Sequence, residues 1–512
     1  MREGDRLAEV LAAISLAASH ARGQAAESIL GTTILATRMG RMSGLSPEEM
    51  TDTFYAAVSR ALGCTSTAMD SARLAYGNDL TFSFSLNLSD FSDPQTIALN
   101  LDQYWALEAD PEAKANGIAQ VMELLPQMAE VPLAHGQQAV ALARRLPVSA
   151  GVSSMLSQVD ARWDGMNPFR PGGEDIPPGL RIIEFALVAE MYRRAGGLEA
   201  MHELASSRSG GQFDPAVCTM FSQHSGELLA GFEAHTLWDL FLDTEPEPKL
   251  YLEEPHIRPV AEVSADFADN KSGWTVGHSR IVADAAVGAA RSLGLSIADQ
   301  DEVFLAGLMH DLGRCAVPNG VWDKPGELSP GERRLAESHS RYTEEILDSC
   351  DALRANASLA GAAHERLDGS GYHHGTKSQE FKAQLLAVAD MYAALVQDRS
   401  WREALTEGDA AEVLLQEADG GRLSSQAVAA VLESQGHRVA LADRAERVGL
   451  TPREVEVLQH LAQGLLTKQI AAKLGMAHKT ADNHIQNIYK KIGASSRTAA
   501  AMYAVEHGIY SA

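Results

Sequence analysis

The chain has 512 residues, a length that suits two or three domains rather than one. Hydrophobic residues make up 45% of it and charged residues 22%, which excludes a disordered chain, a collagen-like chain and a disulfide scaffold. The formal net charge of −25 repels nucleic acid, so any contact with DNA has to be local.

The sequence predicts a cytoplasmic protein without a membrane partner. No stretch approaches the roughly 20 apolar residues of a membrane span, and the start, MREGDRLAEV, lacks the basic-then-apolar build of a signal peptide. The four cysteines lie far apart without a CxxC motif, which argues against a disulfide framework and against a thiolate zinc site.

An internal repeat organises most of the chain. Residues 277–314 align without gaps onto residues 27–64, at an offset of 250 residues. Two later anchors follow in the same order. In one, ARWDG and RIIEFALVAEMY of the first copy pair with ERLDG and AQLLAVADMY of the second. In the other, Gly210, Gly211 and Phe213 pair with Gly420, Gly421 and Leu423. We therefore predict a tandem duplication.

The periodicity of both copies is helical. Ile281, Val282, Ala285 and Ala289, for example, recur at three- and four-residue spacing. The run Thr81–Ser89 alternates apolar and polar residues as a strand does, but it has no partner run in the sequence and could be a loop. We predict an all-α fold with four parts: a first helical bundle at 1–245, a second at 246–436, a linker at 437–447 and a small four-helix domain at 448–512.

The second copy concentrates residues that suit a metal centre. His310 and Asp311 end an apolar helix, where polar groups are costly without a ligand or a hydrogen bond, and Asp390 closes the apolar run LLAVAD. Imidazoles and carboxylates suit Fe, Mn or Zn, and two such ions can activate water for displacement at phosphorus. Any one of these histidines could be a surface or core residue, but together they predict a phosphodiesterase site. The candidate ligands are His278, His310, Asp311, His339, His364 and Asp390.

Five stretches of this copy resemble the HD-GYP family of the HD phosphohydrolase superfamily: GHSR at 277–280, HDLGR at 310–314, KPGELS at 324–329, HERLDGSGY at 364–372 and AVADMYAALVQDRSWREA at 387–404. The resemblance implies a helical domain with a two- or three-metal centre, often iron, that hydrolyses cyclic dinucleotides such as cyclic di-GMP. It implies that the six candidates are metal ligands and that Asp311 and Arg314 are catalytic. It further implies that Arg314, Gly371 and Tyr372 contact substrate.

Three residues depart from the family pattern. Ala363 replaces the first of two consecutive histidines, Arg314 replaces a lysine, and His373 replaces the proline of the GYP signature. The loss of a ligand at Ala363 should weaken the second metal and threaten turnover. His373 or His374 could supply the missing imidazole, although loop histidines are usually solvated.

The first copy has lost the constellation. Ser28, Arg60, Ala61, Asp160 and Glu190 stand where the second copy has His278, His310, Asp311, His364 and Asp390. Metal chemistry is therefore not expected there. The scaffold could pack against the second copy, form a dimer surface, bind a regulatory ligand or be inert.

The tail from Val448 carries a charge of +3, against −28 for the rest of the chain, which suggests a separate module with its own partner. Thr451–Glu454 forms a capping box at the start of a helix, and two further helices follow with helix-turn-helix spacing. Asn and Gln side chains can read an adenine edge, while Lys and Thr anchor phosphates. A helical interaction module with a solvated basic face is the alternative.

The tail resembles the LuxR-type helix-turn-helix domain over nearly all of residues 450–508. The resemblance implies a four-helix domain that dimerises on double-stranded DNA. Asp482 stands where basic residues are common, which predicts altered site preference rather than lost binding. The candidate DNA-binding residues are Lys468, Lys479, Thr480, Asp482, Asn483, Gln486, Asn487 and Lys490.

These parts predict a homodimeric transcriptional regulator whose HD-GYP-like module binds metal and a cyclic dinucleotide, with or without hydrolysing it. The alternative is an active metal-dependent phosphodiesterase for which DNA binding is secondary. A purely structural role ranks last, because it leaves the inward-facing polar residues unexplained.

Overall fold

The computed structural model describes residues 1–105, 107, 110–124, 131–233, 236–377, 379–437, 450–492, 494, 496–506 and 509–510. Within these ranges all regular secondary structure is helical, and β-structure is limited to isolated bridges such as Arg6 with Tyr251. The predicted all-α class is therefore confirmed.

The helices of the first copy and of the segment that follows it are α1 Leu7–Ala21, α2 Ser28–Met42, α3 Pro47–Ser59, α4 Ala68–Leu74, α5 Asp79–Leu88, α6 Pro94–Tyr104, α7 Pro111–Leu124, α8 Val131–Ala143, α9 Ala150–Leu156, α10 Pro178–Ser207, α11 Pro215–Leu228 and α12 Trp238–Thr244. Those of the second copy are α13 Glu254–Asp269, α14 His278–Ser292, α15 Ile297–Met309, α16 Asn319–Trp322, α17 Pro330–Asp348, α18 Arg354–Gly361, α19 Phe381–Leu395, α20 Glu407–Asp419 and α21 Ser425–Ser434. The tail contributes α22 Pro452–Ala462, α23 Thr467–Lys473, α24 His478–Ile492 and α25 Arg497–Glu506.

The internal repeat is visible in the helix boundaries. Helices α2 and α3 begin and end 250 residues before α14 and α15, and a short 3₁₀ helix follows in each copy, Arg60–Gly63 and Leu312–Ala316. The two copies therefore share one local fold, although their polar residues differ.

Residues 81–88 of the alternating run Thr81–Ser89 are helical rather than extended. Asn78 caps α5 by accepting a hydrogen bond from the backbone N–H of Thr81. Phe82 and Leu86, four residues apart, are buried on one face, so the period that decides the structure is helical. The strand-like alternation came from serines, which helices tolerate when the hydroxyl bonds the preceding turn, as Ser85 does with the Thr81 carbonyl.

The chain divides into two compact units. The first comprises Met1–Arg280, Leu308–Gly361 and Arg399–Glu403, and the second comprises Ile281–Gly307, Ala362–Asp398 and Ala404–Ala512. The boundaries expected from the sequence at 245 and 436 stay predictions. Residues 438–449, which make up most of the expected linker, lie outside the described residues.

Helix α1 forms the centre of the first unit. Most of its side chains are buried, and it contacts α2 and α3 as well as α17 and the 3₁₀ helix at Leu312–Ala316. A second connection is polar: Lys271 Nζ lies 2.7 Å from Asp79 Oδ2, and both side chains are buried. The first copy therefore supports the segment that carries the predicted metal ligands.

In the second unit, the tail packs around its own small core. Val457, Leu458 and Leu461 of α22 pack with Ile470, Ile485 and Ile488 of the next two helices. The predicted capping box is present, because Thr451 and Glu454 bond reciprocally, and Glu454 also pairs with Lys491 at 2.7 Å. Among the described residues, no helix combines the length and the apolar character needed to cross a membrane.

Candidate metal centre

The first unit brings three histidines around Asp311. Helix α15 ends at Met309, so His310 and Asp311 occupy the turn that leads into the next 3₁₀ helix. His278 begins α14, and His339 lies within α17. All four side chains are buried, with exposures between 0% and 3%.

Each oxygen of the Asp311 carboxylate faces imidazole nitrogens. Oδ2 lies 3.5 Å from Nε2 of His310 and 3.8 Å from Nε2 of His278, whereas Oδ1 lies 3.3 Å from Nε2 of His339. Ligand atoms of His278, His310 and Asp311 all fall within 4.8 Å of one another. A buried set of nitrogen and carboxylate donors at this spacing fits a divalent transition metal.

The surroundings favour the ionised carboxylate. Burial by itself would raise the pKa of Asp311, but His310, Arg314 and His339 hold that pKa well below its ordinary value. Arg314 makes the closest approach, with Nη1 3.0 Å from Oδ2. Asp311 is therefore an anion among potential ligands, which is the state that a metal requires.

Backbone contacts orient the ligands. The Nδ1–H of His339 donates to the Ala336 carbonyl at 2.6 Å, which leaves Nε2 as the atom that faces Asp311. Thr343 donates from its hydroxyl to the His310 carbonyl and accepts from the Gly313 N–H, both at 2.9 Å. A Cβ at position 313 would lie 2.0 Å from the His339 carbonyl oxygen, so the turn after Asp311 requires glycine.

The second unit places His364 beside Asp390. Nδ1 of His364 lies 3.2 Å from Oδ2 of Asp390, and the Tyr372 ring stacks on the imidazole with centroids 5.0 Å apart. Buried Glu365 holds the following loop by accepting from the N–H groups of His374, Gly375 and Thr376.

The loop also depends on Gly371. A Cβ there would lie 2.4 Å from the backbone nitrogen of Arg366, so the chain passes itself too closely for any side chain. Ala363, the residue that replaces a family histidine, is completely buried. Its methyl group supplies no ligand atom.

Two segments of the chain match described protein families. Residues 262–426 match the family described as the HD domain, and residues 448–504 match the bacterial regulatory proteins of the luxR family. The chain carries an HD domain followed by a LuxR-family domain. Both halves of the predicted resemblance are confirmed.

The HD domain is similar to phosphodiesterases that act on cyclic dinucleotides. The chain is 28% identical over 412 residues to 3'3'-cGAMP-specific phosphodiesterase 3 of Vibrio cholerae, which covers 78% of this chain and 88% of that protein. It is 34% identical over 182 residues to 3'3'-cGAMP-specific phosphodiesterase 1 of Vibrio cholerae. That match covers 35% of this chain and 42% of that protein. The cyclic di-GMP phosphodiesterase response regulator RpfG of Xanthomonas campestris pv. campestris is 34% identical over 150 residues, 28% of this chain and 39% of that protein.

The fold similarity extends beyond the HD domain. The crystal structure of a cyclic GMP-AMP specific phosphodiesterase of V. cholerae, V-cGAP3, matches with a TM-score of 0.58 at 24% identity, and it covers 85% of this chain and 98% of that chain. A match of that length has to reach into the first copy. The relative therefore shares the fold of the degenerate copy as well.

The first copy replaces the HD motif with a buried ion cluster. Arg60, the counterpart of His310, is 4% exposed, and its guanidinium lies 2.5 Å from Asp160 and 3.1 Å from Glu184. Burial would raise the pKa of Asp160, but Arg60 and His135 lower it. A fixed cation occupies the position of the ligands, which explains physically why metal binding is not expected there.

Sequence reasoning assigned no role to Arg399, although it lies within a stretch that resembles the family. Its side chain is buried, and Nη1 donates to the Trp274 carbonyl at 2.5 Å while Nη2 lies 3.4 Å from Nδ1 of His278. Asp269 was also missed. It accepts from both the N–H and the hydroxyl of Ser279 at the start of α14, and burial raises its pKa to about 6. The sequence did offer a signal for each residue: Arg399 lies within a family-like stretch, and Asp269 lies shortly before the predicted ligand His278.

The LuxR-family domain presents the predicted DNA-binding side chains on its surface. Ala481, Ile485 and Ile488 of α24 are buried, and the opposite face of the helix is exposed. All eight candidates are exposed: Lys468, Lys479, Thr480, Asp482, Asn483, Gln486, Asn487 and Lys490.

Proposed function

We propose that this chain is a DNA-binding regulator whose HD domain binds divalent metal and hydrolyses a cyclic dinucleotide. The observation that carries the proposal is the Asp311 cluster, in which three buried imidazoles and an arginine surround one ionised carboxylate. The similarity to cyclic dinucleotide phosphodiesterases supports the substrate class.

The proposed ligands come from both units. The sequence motifs are the reason for grouping them into one set. Iron or manganese suits these donors best, and zinc also fits. A metal bound there supplies Lewis acidity toward the phosphodiester. The proposed ligands are His278, His310, Asp311, His339, His364 and Asp390.

The protein's own groups have separate roles in the proposal. Arg314 neutralises and positions Asp311, and its remaining donors suit a phosphate oxygen. Gly371 and Tyr372 contact the substrate from the loop that Glu365 holds. Asp311 and Arg314 are the proposed catalytic residues.

The LuxR-family domain is proposed to bind double-stranded DNA as a homodimer. Asn483 and Gln486 carry amide groups suited to base edges, and Lys479 and Lys490 suit phosphates. Their exposure on α24 supports this assignment. Cyclic dinucleotide concentration would then control transcription through the same chain.

A sensor without turnover is the second candidate function, and Ala363 favours it. This buried methyl group stands where the family has a histidine ligand. Weak retention of a second metal would allow the nucleotide to bind without efficient cleavage.

Anaerobic assays on the full chain loaded with iron or manganese test the proposal. The wild type should cleave cyclic di-GMP or 3'3'-cGAMP, whereas Asp311→Asn should lose metal and activity together, because its amide removes the central negative charge. Metal content and product formation are measured in parallel. Nucleotide binding without cleavage by the wild type, with turnover and an additional metal in Ala363→His, would establish the sensor instead. A metal-free, inactive wild type would reject both.

A further inference from the structure

Two exposed tryptophans, Trp274 and Trp401, lie on loops that meet at Arg399, which contacts the predicted ligand His278. Trp274 is 40% exposed and Trp401 is 53% exposed, whereas Trp105 in the first copy is completely buried. Large aromatic rings are usually placed in a core or in an interface. Exposed indoles on loops that contact a predicted metal ligand are therefore candidates for binding a flat, apolar group of a ligand.

The loop of Trp274 is connected to the predicted ligand His278 through Arg399. The backbone N–H of Trp274 donates to Ser272 Oγ at 3.2 Å, and its carbonyl accepts from Arg399 Nη1 at 2.5 Å. The same guanidinium lies 3.4 Å from the imidazole of His278. The backbone of Trp274 is thus held by a residue that also contacts a predicted ligand.

Trp401 lies at the tip of a short turn on the same guanidinium-bearing segment. Arg399 and Arg402 exchange backbone hydrogen bonds across the turn, at 2.8 and 3.2 Å. Ser400 donates from Oγ to the Lys324 carbonyl at 3.0 Å. The base of the turn is therefore fixed, and the indole between Ser400 and Arg402 remains exposed.

A third tryptophan connects this surface to Arg314. The guanidinium carbon of Arg314 lies 4.1 Å from the Trp322 ring centroid, and this ring meets the His339 imidazole edge-on at 5.4 Å. Ser400 Oγ also lies 3.4 Å from the Trp322 carbonyl oxygen. Because Arg314 covers one face of Trp322, this ring positions the guanidinium, and Trp274 and Trp401 are the indoles available to a ligand.

We propose that Trp274 and Trp401 stack against the purine bases of the cyclic dinucleotide whose phosphodiester lies at the Asp311 cluster. This inference rests on the proposed function and names the residues that select the base. Arginines and a metal recognise phosphate, which every cyclic dinucleotide shares, but an indole face recognises the base by its aromatic area. The wider purine ring system should therefore bind better than a pyrimidine.

Equilibrium binding by the full chain tests the proposal, with cyclic di-GMP, 3'3'-cGAMP and cyclic di-UMP as probes. Stacking on one ring is worth roughly a 5- to 150-fold change in affinity. Trp274→Ala and Trp401→Ala should each weaken purine binding within that range, leave metal content unchanged and reduce the preference over cyclic di-UMP. Trp274→Phe should retain most of the affinity because it keeps an aromatic face, whereas Trp274→Leu should not.

Trp238→Ala, on helix α12, is the matched control and should bind like the wild type. Wild-type binding without cleavage, lost in both alanine variants, supports the stacking inference even though hydrolysis fails. Alanine variants that bind purine dinucleotides as tightly as the wild type overturn it while leaving the proposed function intact. A wild-type chain that binds none of the purine probes overturns it as well.

Discussion

At the scale of single residues, the two copies compensate their buried charges in opposite ways. Asp311 in the second copy is an anion among imidazoles, and together these groups could hold a metal cation. The first copy places the guanidinium of Arg60 against Asp160 and Glu184 instead. Each buried charge is compensated, because an isolated ion inside a protein is too costly.

His135 completes the Arg60 cluster and predicts a pH dependence of stability. Its Nε2 lies 3.0 Å from the Arg60 carbonyl oxygen. Burial, followed by the charges of Arg60 and Arg22, lowers the pKa of His135 to about 3 from an ordinary 6.5. The unfolded chain therefore takes up this proton below pH 6.5 while the folded chain resists it, and folding stability falls as the pH drops from 6.5 toward 3.

His135→Gln isolates this contribution, because glutamine can keep the hydrogen bond without titrating. Compared with the variant, the wild type should lose about 1.4 kcal/mol in unfolding free energy for each pH unit below 6.5. Urea unfolding of both proteins at pH 7, 6, 5 and 4 measures the difference. Parallel pH profiles would contradict the assignment.

At the scale of elements, the helix boundaries repeat between the two copies, whereas polar contacts at helix starts and connecting loops join the copies to each other. Asp79 at the start of α5 pairs with Lys271, and its other oxygen accepts from the Asn319 N–H at the start of α16 at 2.7 Å. The amide of Asn319 donates in turn to the Lys271 carbonyl. One carboxylate thus joins the first copy to the loop that precedes His278.

Lys271→Met should therefore destabilise the first unit by about 3–5 kcal/mol, because it leaves the Asp79 carboxylate buried without a counterion. Denaturant unfolding with a parallel metal count measures the effect. The double variant Asp79→Leu/Lys271→Met removes both charges and should recover much of the loss. Arg354→Met, which breaks an exposed ion pair with Asp351, serves as the control and should change stability by less than about 1 kcal/mol. An equally small effect of Lys271→Met would show that the buried pair does not connect these elements.

At the scale of the whole molecule, charge is divided unevenly. The tail from Val448 carries +3 and the remainder −28, so the long-range field of the chain opposes the DNA that the tail is proposed to bind. This field is screened at high ionic strength, where the Debye length falls to about 3 Å at 1 M salt. DNA binding by the intact chain should consequently reflect both local attraction and general repulsion.

A protease site introduced between residues 438 and 449 tests this balance. Cleavage should tighten DNA binding by the released tail at low salt, and the gain should shrink as salt is added. Fluorescence anisotropy on one labelled duplex across a salt series, before and after cleavage, provides the measurement. Lys479→Ala in the cleaved tail should flatten the salt slope by about 1 through loss of one phosphate contact. If cleavage leaves low-salt affinity unchanged, the acidic portion does not oppose binding.

Much of this organisation follows from local sequence. The helical period, the capping box at Thr451 and the individual HD and LuxR-type motifs are properties of residues close together in the chain, and the helices begin and end accordingly. The order of His310 and Asp311 at the end of an apolar helix was likewise enough to predict a buried polar site. Local spacing carries this information because helix formation and capping depend on residues within one or two turns.

The tertiary structure decided which distant groups meet. The alternation at Thr81–Ser89 was ambiguous until burial of Phe82 and Leu86 selected the helix. The contact of Arg399 with His278 joins residues 121 positions apart. Arg60 pairs with Asp160 and Glu184, which lie 100 and 124 positions away in the chain. No period or motif encodes such pairs, because the packing of helices and turns brings the side chains together. Once water is excluded, a buried charge is costly unless a partner neutralises it.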